Sequence, residues 1–143
     1  MKLIDVNLLI YAYDSGSPLH ARARPWLERC MSQNEPIGFA PATIVAFLRL
    51  VTDSRVFTRP LDIAAACKIV NDWLGATPAV FLVPTERHWE ILSALAVESQ
   101  ARASLLPDAH LAACAIEHGA TLYTHDRDFS RFPGLHLEFP LAS

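Results

Sequence analysis

Two aspartates stand two residues apart near the end of the chain, in the stretch TLYTHDRDFSRF of residues 121–132. Asp126 and Asp128 follow a run of β-branched and aromatic residues that predicts a short strand. Carboxylates aimed at one point repel each other unless they are well solvated, hydrogen-bonded or share a cation. The pair therefore predicts either a cap on the helix that follows the strand or part of a cation site.

Two further aspartates are candidates for the same site. Asp5 follows the first predicted strand, KLID, and Asp108 comes one residue after Pro107 in the first turn of a predicted helix. Taken singly, Asp5 and Asp126 are typical helix caps, and Asp108 complements a helix dipole. If the three converge, they raise each other's pKa values unless a cation lies between them. Oxygen ligands without nearby His or Cys suit Mg²⁺ or Mn²⁺, which can polarise a phosphodiester and generate hydroxide from bound water.

Strands and helices alternate along the whole sequence, and this alternation decides where the aspartates lie. Short apolar runs predict strands at KLID, IGFA, AVFLVP, ATLYT and LHLEFP, with helices between them. One of these helices is expected at TERHWEILSALAVESQ with its threonine as the cap. The pattern predicts an α/β fold with a central parallel sheet of four to five short strands and helices on both faces.

A parallel sheet of this kind places its sites outside the carboxyl ends of the strands. Asp5 and Asp126 both follow strands, so they share that edge. A helix that runs antiparallel to the strands begins near the same edge, which allows Asp108 to join them. The order of elements therefore favours convergence over three separate caps.

Length and composition limit the classes of protein to which this chain can belong. The 143 residues fit a single domain, and a content of 52% hydrophobic and 19% charged residues is typical of a globular protein. No apolar run approaches the roughly 20 residues of a membrane span, and an aspartate interrupts the apolar N-terminal stretch, which argues against a secretory signal. Three widely spaced cysteines, Cys30, Cys67 and Cys114, predict neither disulfides nor a zinc pattern, but reduced and mostly packed thiols in a cytoplasmic protein.

The charge balance does not by itself indicate a nucleic-acid-binding protein. The formal net charge is −3, with 12 basic and 15 acidic residues. The basic residues are arginines apart from Lys2 and Lys68. Arginine favours bidentate contacts to phosphate, although a bias in genomic composition explains the same excess. Both interpretations stay open.

Other protein classes with carboxylates at a sheet edge do not fit. A receiver domain or a haloacid-dehalogenase-type phosphatase needs a lysine after a late strand, and the last lysine here is Lys68. The phosphatase also needs D-x-D after the first strand, where this chain has Asp5, Val6 and Asn7. The sequence contains no P-loop and no G-x-S-x-G motif.

Two segments, IDVNLLIYAYD and LLPDAHLAACAIEHGATLYTHDRDFSRFPGL, resemble PIN-domain ribonucleases of the VapC toxin type. The resemblance covers nearly the whole chain and implies one PIN domain over residues 1–143, with a three-layer α/β/α fold. It also implies a metal-dependent endoribonuclease that uses Mg²⁺, or Mn²⁺, and usually acts on structured RNA such as tRNA. A toxin of this kind belongs to a type II toxin–antitoxin system and has a cognate antitoxin that blocks it.

The resemblance also assigns roles to individual residues. Three aspartates fall on the family's catalytic metal-site positions: Asp5, Asp108 and Asp126. Asp128 falls on a frequent fourth acid of the metal site, and is otherwise a cap for the helix that contains Phe129. Asn7 and Thr124 fall on polar positions that support the acids.

One position departs from the family pattern. The family usually carries a glutamate on the helix after the second strand, and in the stretch TIVAFLR this glutamate aligns with Ala46. Asp53 lies two turns further on and cannot replace it directly. Arg49, on the same helix, is either a surface residue or a contact to phosphate.

Three functions stay open. The first is a magnesium-dependent endoribonuclease toxin, in which the departure means either a variant site led by three aspartates, with Asp128 helping, or weaker metal binding. The second is a PIN domain without activity that binds RNA or a protein partner, and the third is a DNA nuclease, because metal chemistry does not choose the sugar. The apolar surface of VNLLIYAY and of the helix with Trp26 and Leu27 predicts a homodimer or a toxin–antitoxin complex.

Overall fold

A five-stranded parallel sheet forms the centre of the protein, as predicted. The computed structural model describes residues 1–142. The strands, in the spatial order β3-β2-β1-β4-β5, are β1 (Lys2–Ile4), β2 (Ile37–Phe39), β3 (Ala79–Phe81), β4 (Thr121–Tyr123) and β5 (Leu137–Glu138). Each neighbouring pair is parallel.

Helices connect the strands and cover both faces of the sheet. The helices are α1 (Val6–Tyr13), α2 (His20–Ser32), α3 (Pro41–Val51), α4 (Ile63–Leu74), α5 (His88–Ser99) and α6 (Leu105–Glu117), with a 3₁₀ helix at Arg127–Arg131. No helix within residues 1–142 is both long and apolar enough to cross a bilayer.

Two separate hydrophobic cores, one on each face of the sheet, define a three-layer arrangement of helices, sheet and helices. Successive side chains of a strand point to opposite faces. In β1, Ile4 accordingly packs with Leu8 and Phe47 on the face covered by α1 to α4, whereas Leu3 packs with Leu122 on the other face. Helices α5 and α6 pack against each other over that second core. The observed α/β/α arrangement confirms the predicted fold class.

The chain reverses its direction of winding between β1 and β4. It proceeds from β1 to β2 and β3 on one side, and then returns to place β4 and β5 on the other side. Ile4 lies beside Tyr123 in the register of these two strands. The residues that follow them, Asp5 and Thr124, therefore emerge side by side at the switch point, where doubly wound folds bind ligands.

The apolar surfaces that predicted a dimer are largely covered within the chain. Leu8 and Leu9 of α1 and Leu27 of α2 are buried, and Trp26 stacks on Tyr123 with ring centroids 5.8 Å apart. Helix α1 is enclosed because it packs against both α2 and α3. Much of this surface is therefore used within the chain, whereas Val6, Ile10 and Trp26 are only partly buried.

The expected threonine cap lies one turn before α5. The helix begins at His88, after Arg87, which makes no side-chain cap. The Thr85 hydroxyl accepts from the Arg87 amide at 3.2 Å, so it caps the turn that leads into the helix. The Thr85 amide and hydroxyl also donate to the Glu117 carboxylate on α6, a long-range contact that sequence spacing does not reveal.

Candidate active site

Asp5 combines the two roles that the sequence left open. It is the N-cap of α1, where its Oδ1 accepts a hydrogen bond of 2.7 Å from the Val6 amide. Its Oδ2 accepts a second bond of 2.7 Å from the Thr124 hydroxyl. The residue is only 8% exposed, and burial raises the pKa of its carboxyl, with a further upward contribution from Asp126 and an opposing one from the two hydrogen bonds.

Thr124 joins the ends of β1 and β4. Its hydroxyl is fully buried and, besides donating to Asp5, accepts from the Asp126 amide at 3.0 Å and the Asn7 side-chain amide at 3.3 Å. The Asn7 carbonyl oxygen accepts from the His125 amide at 3.3 Å. Asn7 and Thr124 therefore lie where support for the acids was predicted, and their network holds two aspartates at one edge.

Asp126 and Asp128 have different roles. Asp126 is the N-cap of the 3₁₀ helix, and its Oδ1 accepts from the Asp128 amide at 2.9 Å. Asp128 lies within that helix and is exposed, so it does not serve as the cap. Phe129 turns into the core. Of the two roles considered for Asp128, the geometry favours an acid at the outer rim of the site.

Asp108 lies in the first turn of α6 and faces the other acids. Burial, and then the charges of Asp126, Asp5 and Asp128, raise the pKa of its carboxyl to about 6. No donor within residues 1–142 hydrogen-bonds this carboxylate. The structure thus brings Asp108 into the electrostatic field of all three other acids, which is the convergence that the sequence predicted.

A positive charge that acts on this group was not identified from the sequence. The charge of Arg131 acts to lower the pKa of Asp108, against the effect of the acids. Its Nε donates to the backbone carbonyl of Asp128 at 3.3 Å, which leaves the rest of the exposed guanidinium free for solvent or a ligand. The sequence could have indicated Arg131 through its position, one 3₁₀ turn after Asp128.

The acids fit a hard divalent cation. They offer oxygen ligands alone, and one of them, Asp108, has a raised pKa that a bound cation would reverse. Within residues 1–142, the four aspartates do not form a group whose oxygens all lie within 4.8 Å of one another. That spacing leaves room for water as well as an ion, and Mg²⁺ usually keeps several waters in protein sites.

Position 46 brings no carboxylate to the site. Ala46 is half-buried on α3, and Asp53 beyond the end of that helix is paired with Arg55, with both carboxylate oxygens 3.1 Å from guanidinium nitrogens. Asp53 is therefore engaged elsewhere, in agreement with the expectation that it does not replace the missing glutamate. Arg49 is exposed.

The raised pKa of Asp108 predicts that the metal-free protein loses stability as pH rises. The folded state holds its proton up to about pH 6, whereas the unfolded carboxyl releases it near 3.8, so the unfolding free energy falls across that interval. After allowance for partial exposure, the loss is about 1–2 kcal/mol. Urea denaturation with chelator should show Asp108→Asn to be more stable than the native chain at pH 7, and equal to it near pH 4. The same difference at both pH values would contradict the assignment.

Comparisons with known proteins show the family of the chain and then its group within that family. The family model for the PIN domain matches residues 2–135. Ribonuclease VapC37 of Mycobacterium tuberculosis H37Rv is 42% identical over 142 residues, covering 99% of both chains. Ribonuclease VapC43 of the same strain is 40% identical over 141 residues, covering 99% of this chain and 96% of that one. The chain belongs to the PIN-domain family, in its VapC group.

Solved structures share the fold. VapC20 of Mycobacterium tuberculosis, described as a sarcin–ricin loop cleaving toxin, superposes with a TM-score of 0.69 at 18% identity and covers 95% of this chain and 99% of its own. VapBC2 of Rickettsia felis, bound to a DNA fragment from its promoter, superposes with a TM-score of 0.69 at 18% identity over 96% of each chain. These structures confirm the PIN-like three-layer arrangement.

Proposed function

We propose that this protein is a divalent-metal-dependent endoribonuclease and the toxin of a type II toxin–antitoxin pair. The observation that carries the proposal is the convergence of Asp5, Asp108, Asp126 and Asp128 at the switch point of the sheet. There burial, and then the charges of the other three acids, raise the pKa of Asp108 to about 6. The ribonuclease names of relatives that are about as long as this chain support the same reaction.

Asp5, Asp108 and Asp126 would hold the cation, with Asp128 at the rim. Mg²⁺, or Mn²⁺, supplies charge stabilisation at the scissile phosphate and lowers the pKa of a bound water. The chain's own residues orient the ligands: Thr124 and the Val6 amide fix the two oxygens of Asp5, and Asn7 holds the β4 end against α1. Within residues 1–142 no donor hydrogen-bonds the Asp108 carboxylate, so its oxygens would be available to the ion.

Arginines beside the acids would contact the RNA backbone. Arg131 is exposed and electrostatically coupled to Asp108, and Arg127 is an exposed residue of the same 3₁₀ helix. Their guanidinium groups match phosphate geometry, and a net charge of −3 requires such contacts to be local. We propose structured RNA such as tRNA as the substrate class. We propose the cytoplasm as the compartment in which the protein acts.

We propose a cognate antitoxin as the protein partner, and a homodimer as the state of the free toxin. Several of the apolar groups left exposed by the fold lie on β3, the connector after it and α5, among them Phe81, Val83, Trp89 and Val97. These residues, rather than α1, are the surface that a partner would cover. Light scattering at high micromolar concentration should report a dimer, and a strict monomer would contradict the homodimer.

Cleavage assays with and without metal test the proposed reaction. Purified protein should cut bulk RNA and tRNA with Mg²⁺ or Mn²⁺, and should stop when chelator is added. Single-stranded DNA in a parallel reaction separates a ribonuclease from a DNA nuclease. RNA binding without cutting at any metal concentration would favour the alternative function, a catalytically weakened PIN domain that binds RNA or a protein partner.

Ala46 is the residue that favours a catalytically weakened PIN domain. Its presence also leads to a testable prediction about metal binding. A site with one carboxylate fewer is less negative, so it should need more Mg²⁺ or prefer Mn²⁺. Ala46→Glu is therefore expected to lower the metal concentration for half-maximal RNA cleavage. Titrations of both proteins with both metals measure this shift. An unchanged midpoint would mean that position 46 does not face the ion.

A further inference from the structure

A second group of metal-ligand side chains lies at the far end of α6 from Asp108. Cys114, Glu117 and His118 stand at helical positions i, i+3 and i+4, which share one face. One ligand atom from each lies within 4.8 Å of the others. Nine residues of helix, about 14 Å, separate Asp108 from Glu117, so this group is distinct from the acidic edge.

The Glu117 side chain is buried and firmly oriented. It is 0% exposed, and its Oε2 accepts from the Thr85 amide at 3.1 Å and the Thr85 hydroxyl at 2.7 Å. Its Oε1 lies 2.8 Å from Nδ1 of His88. The Nε2 atom of His88 in turn lies 2.8 Å from Nδ1 of His110. Burial acts to raise the pKa of Glu117, but these hydrogen bonds outweigh it and hold the pKa below its ordinary value. The group is therefore an ionised carboxylate inside the protein.

His118 is oriented through one ring nitrogen. Its Nε2 lies 2.9 Å from the carbonyl oxygen of Val83, an acceptor that requires a proton on that nitrogen. The neutral ring then has an unprotonated Nδ1, which is free to ligate. Metal-binding histidines commonly donate their other nitrogen to a backbone carbonyl in this way.

We propose that Cys114, Glu117 and His118 form a Zn²⁺ site, separate from the cation site of the aspartates. Thiolate, imidazole and carboxylate are the ligand types that zinc takes in proteins, and thiolate selects it over Mg²⁺. One thiolate and one carboxylate neutralise the dication within a partly buried site. Three protein ligands leave the fourth tetrahedral position to water, because both ring nitrogens of the neighbouring His88 are engaged with Glu117 and His110.

The cysteine must lose its proton for zinc to bind. Cys114 is 2% exposed, and burial together with the Glu117 charge raises the pKa of its thiol to about 11. Zinc binding at neutral pH therefore releases one proton, from sulfur to solvent, as the zinc–sulfur bond forms. The bound ion would fix the orientation of the Glu117 and His118 side chains, whose hydrogen bonds to Thr85 and Val83 join α6 to the connector. The sequence showed no zinc pattern because the ligands come from one helix turn, as C-x-x-E-H, and not from paired C-x-x-C motifs.

Cobalt substitution tests the proposal on the full chain. The protein is stripped with chelator, freed of reductant and titrated with Co²⁺, whose bond to a thiolate gives a near-ultraviolet charge-transfer band. We expect the band at one equivalent, its loss on addition of Zn²⁺, and its absence in Cys114→Ser. His118→Gln should weaken Co²⁺ binding by roughly tenfold or more, and it serves as the second variant if Cys114→Ser does not fold.

Matched controls separate this site from other thiols and from the acids. Cys67→Ser removes an exposed thiol and Cys30→Ser a buried one, and both should keep the band. Asp108→Asn should keep it as well, because the aspartates are not ligands here. No band in the native protein, a band that persists in Cys114→Ser, or one that Cys67→Ser abolishes would overturn the zinc site.

Discussion

Replacing Asp108 with asparagine is expected to abolish metal-dependent RNA cleavage and to leave a folded protein. The substitution removes a ligand charge from a carboxylate that has no donor of its own within residues 1–142 and that the other acids already repel. A bound ion contributes several kcal/mol of transition-state stabilisation, so the expected loss in rate is about three orders of magnitude or more. Relief of the repulsion tends to stabilise the fold. Initial rates of RNA cleavage at saturating Mg²⁺, with circular dichroism of both proteins, measure the two effects.

The same loss is expected for Asp5→Asn and Asp126→Asn. Asp53→Asn is the matched control, because Asp53 is paired with Arg55 and takes no part in the site. This control should cleave RNA at the native rate. Native activity in the Asp108→Asn protein would overturn the assignment of the site.

Thr124→Val is expected to have the second-largest effect. Valine keeps the shape of threonine but removes a fully buried hydroxyl that donates to Asp5 and accepts from Asn7 and the Asp126 amide. Loss of a group that orients a metal ligand typically costs about 10–100-fold in metal affinity or activity. The buried partners left without hydrogen bonds should also lower the unfolding free energy by about 1–3 kcal/mol.

Thr124→Ser separates the hydroxyl from the side-chain volume. Serine loses only the methyl group, so it should keep the Mg²⁺ midpoint close to that of the native protein. Titrations of cleavage against Mg²⁺, at a temperature where urea curves show all three proteins folded, provide the comparison. A native midpoint in Thr124→Val would mean that the hydroxyl does not orient Asp5.

The arrangement of the acids followed from the order of strands and helices. Asp5 and Asp126 come directly after parallel strands, and Asp108 opens a helix that returns to the same edge. These placements depend on local patterns and on the rules of parallel sheets, and both can be deduced from one sequence. The helix-capping roles were present as well, since Asp5 caps α1 and Asp126 caps the 3₁₀ helix.

Other features depend on tertiary contacts that no local pattern encodes. The burial of α1 follows from its packing against α2 and α3, so an apolar helix did not mean an exposed apolar surface. Thr85 hydrogen-bonds to Glu117, 32 residues away, in addition to capping the turn that leads into α5. The direction of the Thr124 hydroxyl is likewise set by the register of β1 with β4. Each of these required the folded arrangement.

Mn²⁺ titration followed by amide NMR tests most directly whether the aspartates bind a divalent cation. Bound Mn²⁺ broadens the resonances of nearby nuclei, so the first signals to disappear locate the ion. We expect the amide signals of residues 5–7, 108 and 126–128 to disappear first. This loss should be suppressed in Asp126→Asn and reversed by excess Mg²⁺. Early loss confined to residues 114–118, or no selective broadening at the edge of the sheet, would contradict this prediction.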